Sequence, residues 1–237
     1  MVNKLVKKND FIELDFIGRE GIEKDGDIFD TNISDEAKKI GLELDGKPFI
    51  IAVGQGMVIN GLDKSLEDKE IGRKYTLELS PKEAFKERKK ELIRLIPLKL
   101  FIEKKVNPRP GMTLALDNYL VKIVTVSGGR VLVDFNNPLA GKYVNYEFTI
   151  KRIIDDSEEK INAILDYFVK ARLPFNIVEK KVIFELEKFF EPAITMLNEK
   201  FKEIIGLEFV FKEKPVEKDK KEDKEKKETK ENTSEKN

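Results

Sequence analysis

Cysteine, histidine and tryptophan are all missing from the 237 residues. Without cysteine there is neither a disulfide framework nor a thiol nucleophile. With neither Cys nor His, tetrahedral zinc sites and Ser-His or Cys-His catalysis fall away. Oxygen-ligand metal sites survive that exclusion, but no Asp-rich loop of EF-hand spacing is present, so neither metal nor cofactor is expected. The N-terminal Met-Val-Asn-Lys-Leu-Val lacks the apolar run of a signal peptide, and no stretch reaches the length needed to span a membrane. Net charge is missing too. Lys+Arg and Asp+Glu are both 45, which leaves no global attraction to nucleic acid or an anionic membrane. The expectation is a cytoplasmic protein without nucleic-acid or membrane partners; abundant Lys and Glu without Cys or His also suits a thermophile.

What is there is enough for two or three small domains: 40% of the residues are apolar and 38% are charged. Ile12, Leu14 and Phe16 alternate with Glu13 and Asp15, the period of a half-buried strand. Asp25-Gly26 offers a turn before Ile28-Phe29, and Phe49–Val53 is a short apolar run. Leu62 and Leu66, with Asn60 near an N-cap and Gly72 beyond, predict a short amphipathic helix. Tyr75, Leu77 and Leu79 alternate again. Between about 88 and 133 a small β unit is predicted: an apolar run at 92–102 broken by Pro97, then two runs flanking Ser127-Gly128-Gly129, a hairpin signal. Val144, Tyr146, Phe148 and Ile150 predict a closing strand.

Residues 155–212 predict helix–strand–helix–strand. Asp156-x-x-Glu159 reads as a capping box ahead of Ile161, Ile164, Leu165 and Phe168. Val182, Phe184 and Leu186 form a strand pattern, Pro192 opens a second helix that Gly206 ends, and Leu207, Phe209 and Phe211 alternate. So few elements leave Phe189, Phe190, Phe209 and Phe211 in need of cover, either from the rest of the chain or from a second copy in a homodimer. From Glu213 the chain is an even mixture of Lys and acidic residues with almost nothing apolar, the composition of a disordered charged tail.

Two segments carry a resemblance. Ser80-Pro-Lys-Glu-Ala-Phe85 and Asp134-Phe-Asn-Asn-Pro-Leu-Ala-Gly-Lys142 resemble the two edges of an insertion in FKBP-type peptidyl-prolyl isomerases of the SlyD-like and long archaeal kinds. In these the flap loop is replaced by an insert-in-flap domain. Further matches keep the family's order: Phe16-Ile-Gly18 at a strand end, Phe29-Asp30, Phe49 after Pro48, Val58-Ile59-Asn60-Gly61-Leu62, Ala84-Phe85, and Tyr146 on the last strand. Taken singly, a Phe on an alternating strand is ordinary core; it is order, spacing and insertion point together that carry the likeness.

The resemblance implies an α+β protein: an FKBP half-barrel wrapped on a short helix, an inserted small β domain and a C-terminal α/β extension. The expected division is 1–87 plus 134–154 for the isomerase domain, 88–133 for the insert, 155–212 for the C-terminal unit and 213–237 for the tail. It implies a site of Phe16, Phe29, Asp30, Phe49, Val58, Ile59, Leu62, Phe85 and Tyr146, with the Ile59 N–H meeting a substrate carbonyl. Leu95, Ile96, Leu98, Leu100, Phe101 and Ile102 place six apolar side chains in eight positions; they are expected to capture unfolded chains containing X–Pro bonds, with several left exposed, the alternative being that all six form the insert's own core. Such chemistry suits a protein without His or Cys. Rotating an X–Pro bond needs no proton transfer, only an apolar pocket and a donor that favour the twisted amide over the planar one. Phe16 and Phe85 lack the hydroxyls that many relatives carry, Lys86 replaces a usual Gly, and Asn137 stands where many have His. The alternative is therefore a catalytically weak holdase or adaptor on the same scaffold.

Overall fold

The computed structural model describes residues 4–23, 25–116 and 119–214; most of the charged tail lies outside these. By its internal contacts the chain divides into two compact units, 1–167 and 168 onward.

The first unit opens with β1 (Phe11–Glu20), β2 (Ile28–Thr31), α1 (Ser34–Lys39), β3 (Ile50–Ala52), α2 (Asn60–Ser65) and β4 (Lys74–Leu79). It continues through β5 (Ile93–Pro97), α3 (Leu98–Glu103), β6 (Thr113–Leu116), β7 (Tyr119–Ser127) and β8 (Arg130–Asp134), and closes with β9 (Val144–Ile154) and α4 (Ser157–Ile164). One antiparallel sheet has the order β2-β1-β9-β4, with β3 paired to the start of β1. β1 and β9 pair along their whole length, which sets Leu14 opposite Ile150 and Phe16 opposite Phe148. Those four side chains are buried, and Leu62 and Leu66 join them in the core. The alternation in the sequence is thus the pleat of a sheet with one face packed.

α2 is capped differently from the sequence reading. Ile59 is its N-cap, without a side-chain bond, and Asn60 is the first helical residue. The first-turn acid does other work: buried Asp63 accepts the N–H groups of Gly54 and Gly56 at 2.8 and 2.9 Å. A buried carboxylate must be bonded, and here the bonds fasten the loop ahead of the helix.

β5 to β8 build a separate four-stranded sheet, order β5-β8-β7-β6, inserted between β4 and β9. Gly128 and Gly129 both have positive φ (56° and 70°) between the paired residues Ser127 and Arg130, the two-residue hairpin turn that only permissive residues allow. The reading of this stretch as purely β misses α3. Pro97 ends β5 and stands as the N-cap of that helix, a place where its missing N–H costs nothing.

The second unit holds β10 (Asn176–Val178), β11 (Lys181–Leu186), α5 (Glu191–Ile205) and β12 (Glu208–Glu213). β12 runs parallel to β11, with α5 as the connection, and β10 adds an antiparallel edge absent from the sequence reading. Phe184 stacks on Phe209 at 5.9 Å, with Ile194, Leu197 and Phe201 buried in the same unit. Phe209 is therefore core, whereas Phe189 is 83% exposed. Gly206 ends α5 at φ 76° with its N–H on Lys202, as the sequence indicates. α4, which the sequence reading groups with these elements, belongs by its contacts to the first unit, where Ile161 and Ile164 are buried and the helix packs on β3. Only half of its capping box forms: Asp156 accepts the Glu159 N–H at 2.8 Å, while the Glu159 carboxylate turns to Arg152.

Candidate functional site

The order-preserving residues of the first unit converge. Phe16, Asp30, Phe49, Val58, Ile59, Leu62 and Tyr146 line one cavity of about 330 Å³, joined by Met57 and Tyr167. Phe16 lies 5.4 Å from Phe49 and 6.1 Å from Tyr146, ring centre to ring centre. Phe29 and Phe85, expected in the site, are not among the residues that line it but join it through ring contacts. Phe29 meets Tyr146 edge-on at 5.8 Å and Phe85 edge-on at 5.6 Å. Edge-to-face packing of this kind fixes ring orientation as well as burying area.

Two glycines make the arrangement fit. A Cβ on Gly18 would lie 2.7 Å from the tip of the Phe29 ring, so only Gly lets that ring cross the strand. Gly18 is also the β1 residue paired with both Tyr146 and Asp30, which puts two candidate site residues at one rung. Gly61 donates its N–H to the Glu83 carbonyl at 2.9 Å, and a Cβ there would run into Leu79. That close approach brings the Ser80–Phe85 turn against α2. The turn itself is closed by the Glu83 carboxylate, which accepts both the Ser80 N–H and hydroxyl. These bonds, the side-chain one foremost, hold the Glu83 carboxyl below its ordinary value.

β1 is also tied to the segment carrying Asp30 by side chains acting as strand. The Thr31 hydroxyl donates to the Phe16 carbonyl at 2.7 Å, Asn32 accepts the Phe16 N–H at 2.8 Å, and Asn32 donates to the Leu14 carbonyl at 2.6 Å. Nothing in the residue pattern announces Thr31 and Asn32, because their bonds span distant segments.

The cavity holds one acid, Asp30, and two phenols, Tyr146 and Tyr167. Asp30 is exposed as a residue, yet desolvation against the apolar wall raises its pKa, partly offset by a backbone hydrogen bond from Thr31. Tyr146 is 4% exposed, and burial, aided by the Asp30 charge, pushes its phenol well above the usual range. It therefore stays a neutral hydroxyl at any working pH. Ile59 ends the extended segment before α2, and none of the hydrogen bonds among the described residues uses its N–H. The cavity thus combines aromatic walls, two phenol hydroxyls and an acid, with Ile59 among its lining residues. Among the described residues no group of three or more acids is placed to hold a metal.

The six apolar residues of the inserted sheet divide. Leu95, Leu100 and Ile102 are 60%, 49% and 62% exposed. Ile96 and Leu98 are partly buried against the insert's own core of Val121, Ile123, Val131 and Val133. Phe101 belongs to that core at 3% exposure, a correction to its expected role in client contact. It is the largest apolar side chain of α3, and it is the residue by which that helix enters the core of the sheet. Leu100, Phe101, Val106, Leu114 and Leu116 border an apolar groove of about 280 Å³.

A polar clasp joins the two points where the chain passes between the sheets. Asn136 accepts the Lys89 N–H at 2.8 Å, donates to the Lys89 carbonyl at 3.0 Å and donates to Asp134 at 2.7 Å; Arg88 pairs with the other oxygen of Asp134. Burial works against the Asp134 charge, but the bonds from Asn136 and Arg88 outweigh it and hold its carboxyl below the ordinary value.

Residues 3–99 match the family model described as FKBP-type peptidyl-prolyl cis-trans isomerase, and residues 94–139 the model described as FKBP26, IF domain. The chain is 33% identical over 154 residues to a short-type peptidyl-prolyl cis-trans isomerase of Methanocaldococcus jannaschii, covering 64% of this chain and 94% of that one. It is 27% identical over 115 residues to the FKBP-type isomerase SlyD of Treponema pallidum, covering 47% and 65%. Against an FKBP-type 16 kDa isomerase of Escherichia coli it is 29% identical over 113 residues, covering 46% and 75%.

Proposed function

Because the chain belongs to the FKBP-type peptidyl-prolyl cis-trans isomerases, and so is an isomerase of X–Pro bonds and a folding helper, we propose that the aromatic cavity performs the rotation and the inserted sheet captures the unfolded chain. The observation that carries the first half is the convergence of Phe16, Asp30, Phe49, Val58, Ile59, Leu62 and Tyr146 on one cavity.

The barrier to rotation, about 18–20 kcal/mol, comes from lost amide resonance. An apolar wall of Phe16, Phe49, Leu62 and Tyr146 takes the pyrrolidine ring and keeps water from the amide, since water bonds favour the planar, charge-separated form. The Ile59 N–H receives one carbonyl of the bound chain and fixes it while the other side of the bond turns. Phe85 has no hydroxyl to offer, so the polar help comes from the Tyr146 phenol and from Asp30. Asp30 is a dipole and acceptor here, not a general base, because no proton moves.

Leu95, Leu100 and Ile102 support the second half. Three large apolar side chains left in water on so small a sheet form a surface that unfolded segments can cover. The inserted sheet is then the capture domain of 88–133, and the exposed Phe189 of the second unit is the part of a 155–212 extension that would meet a second copy. No helix among the described residues is long and apolar enough to cross a membrane, and a Cys-free chain suits the cytoplasm.

The test is a protease-coupled isomerisation assay on a Xaa-Pro peptide run beside suppression of aggregation of an unfolded protein. Asp30→Leu is expected to lower isomerisation and leave aggregation suppression alone. Replacing Leu95, Leu100 and Ile102 by Ser is expected to do the reverse. Isomerisation that is absent from the intact chain while suppression persists would favour the holdase reading.

A further inference from the structure

Tyr167 lines the cavity, although it belongs to none of the segments that carry the family match. It arrives from α4, which rests on β3, through a wide π turn at Leu165–Val169. Lys170 at φ 59° follows immediately. A π turn inserts one residue into a helical register and so rotates the side chains after it; such turns recur at functional sites. Here the consequence is visible. The Tyr167 hydroxyl donates to the Gly56 carbonyl at 3.1 Å, and the neighbouring Asp166 pairs with Lys47 at 3.5 Å. Two adjacent residues thus grip two of the chain segments that border the cavity: the stretch leading into Phe49, and the loop leading into Met57, Val58 and Ile59.

That loop is held from its other side by Asp63, which accepts the N–H of the same Gly56. Gly56 at φ 69° therefore has its amide bound to the helix side and its carbonyl bound to Tyr167. The cavity of about 330 Å³ is larger than a pyrrolidine ring needs, which leaves room for part of a residue next to the proline. The ring of Tyr167 then borders the space left for that neighbour.

We propose that Tyr167 is a specificity-determining wall of the prolyl site, whose ring limits the size of the residue flanking the proline and whose hydroxyl positions the loop that presents the Ile59 N–H. This rests on the placement of catalysis in the aromatic cavity. A ring is a hard boundary, and removing it admits a bulkier neighbour; pocket contacts of this size discriminate by about tenfold or more. The hydroxyl acts through the loop and so affects all substrates alike.

Exchange spectroscopy by NMR on the full chain tests this, with two peptide series that vary the residue before or after proline from Ala to Leu to Phe. Wild type is expected to prefer the smaller neighbour in one series. Tyr167→Ala is expected to shift the Phe-to-Ala ratio of kcat/KM in that series by about tenfold. Tyr167→Phe keeps the ring, so it should keep the ratio and lower kcat/KM for every peptide by a similar factor. Tyr167→Leu, which keeps apolar bulk should Ala unfold α4, is expected to fall between. If the Phe-to-Ala ratio is the same in wild type, Tyr167→Ala and Tyr167→Leu in both series, with wild type active, the proposal is overturned and the site assignment stands. If Asp30→Leu and Phe49→Ala leave turnover intact in the same experiment, the cavity is not the catalytic site and the proposal falls with it.

Discussion

Asn136→Ala removes three hydrogen bonds by deleting one side-chain amide, and every partner is known. Lys89 loses a partner for its N–H (2.8 Å) and for its carbonyl (3.0 Å), and Asp134 loses a donor at 2.7 Å. A neutral bond contributes about 0.5–1.5 kcal/mol net and one to a charged group about 1.5–3. Lys89 can recruit water for part of its loss, since it is exposed; Asp134, 7% exposed in its side chain, cannot do so readily. The expected cost is about 2–3 kcal/mol, felt where the two chain passages meet rather than in either sheet. Hydrogen exchange at the Lys89 amide reads it directly. At about 1.4 kcal/mol per tenfold, protection there should fall by roughly 30- to 100-fold, while amides in the middle of β1 and β9 keep theirs. Peptide turnover should change little, but refolding of a proline-limited protein should slow, because the capture sheet is no longer held to the catalytic one. Lys89 protection within about threefold of wild type would refute the reasoning.

Three further outcomes are expected. Gly61→Ala drives a methyl into Leu79 and to 3.0 Å from Glu83 Cβ, an overpacking cost of about 1–3 kcal/mol that thermal unfolding should show. Because the same contact brings the Phe85 turn to α2, kcat/KM should fall as well. Phe101→Ala should unfold the inserted sheet at a cost of about 3–5 kcal/mol, whereas Leu95→Ser should leave its melting unchanged and lower only client binding; circular dichroism with aggregation suppression separates the two. In pH titration Asp30 and Asp134 act oppositely. Asp30, with its folded pKa raised, binds its proton more tightly in the folded chain, so the stability it contributes is present in acid and is lost as pH rises through that pKa. Asp134, with its folded pKa lowered, contributes stability that is present above the unfolded value and lost as pH falls through the folded one. The acid-side slope of unfolding free energy should flatten in Asp134→Asn and steepen in Asp30→Asn.

Period-2 patterning is enough to find β1, β4, β9 and β11, because a strand with one packed face must alternate. Punctuation is equally direct at Gly128-Gly129, Gly206 and Pro192, where backbone geometry admits few residues. α1 is invisible to such patterning because only Ala37 of its six residues is buried, leaving no periodic stripe to see. α3 is hidden because Leu98–Glu103 is apolar on several sides and comes after a proline that reads as a break. α4 is legible as a helix but not as part of the first unit, since patterning shows that a face is apolar and not which surface covers it.

By itself the sequence determined the features that local geometry and composition dictate. These are the alternating stretches, the places where turns must fall, the exclusion of thiol and imidazole chemistry, and, by the order and spacing of the resemblance, several of the aromatics that line one cavity. Only the tertiary structure decided which side chains meet. Phe29 crosses Gly18 to reach Tyr146, Asn136 finds Lys89 across the neck of the insert, and Tyr167 closes the cavity onto Gly56. Each joins residues from separate segments of the chain, and such contacts are set by how the sheets and helices pack, which no local pattern of residues encodes.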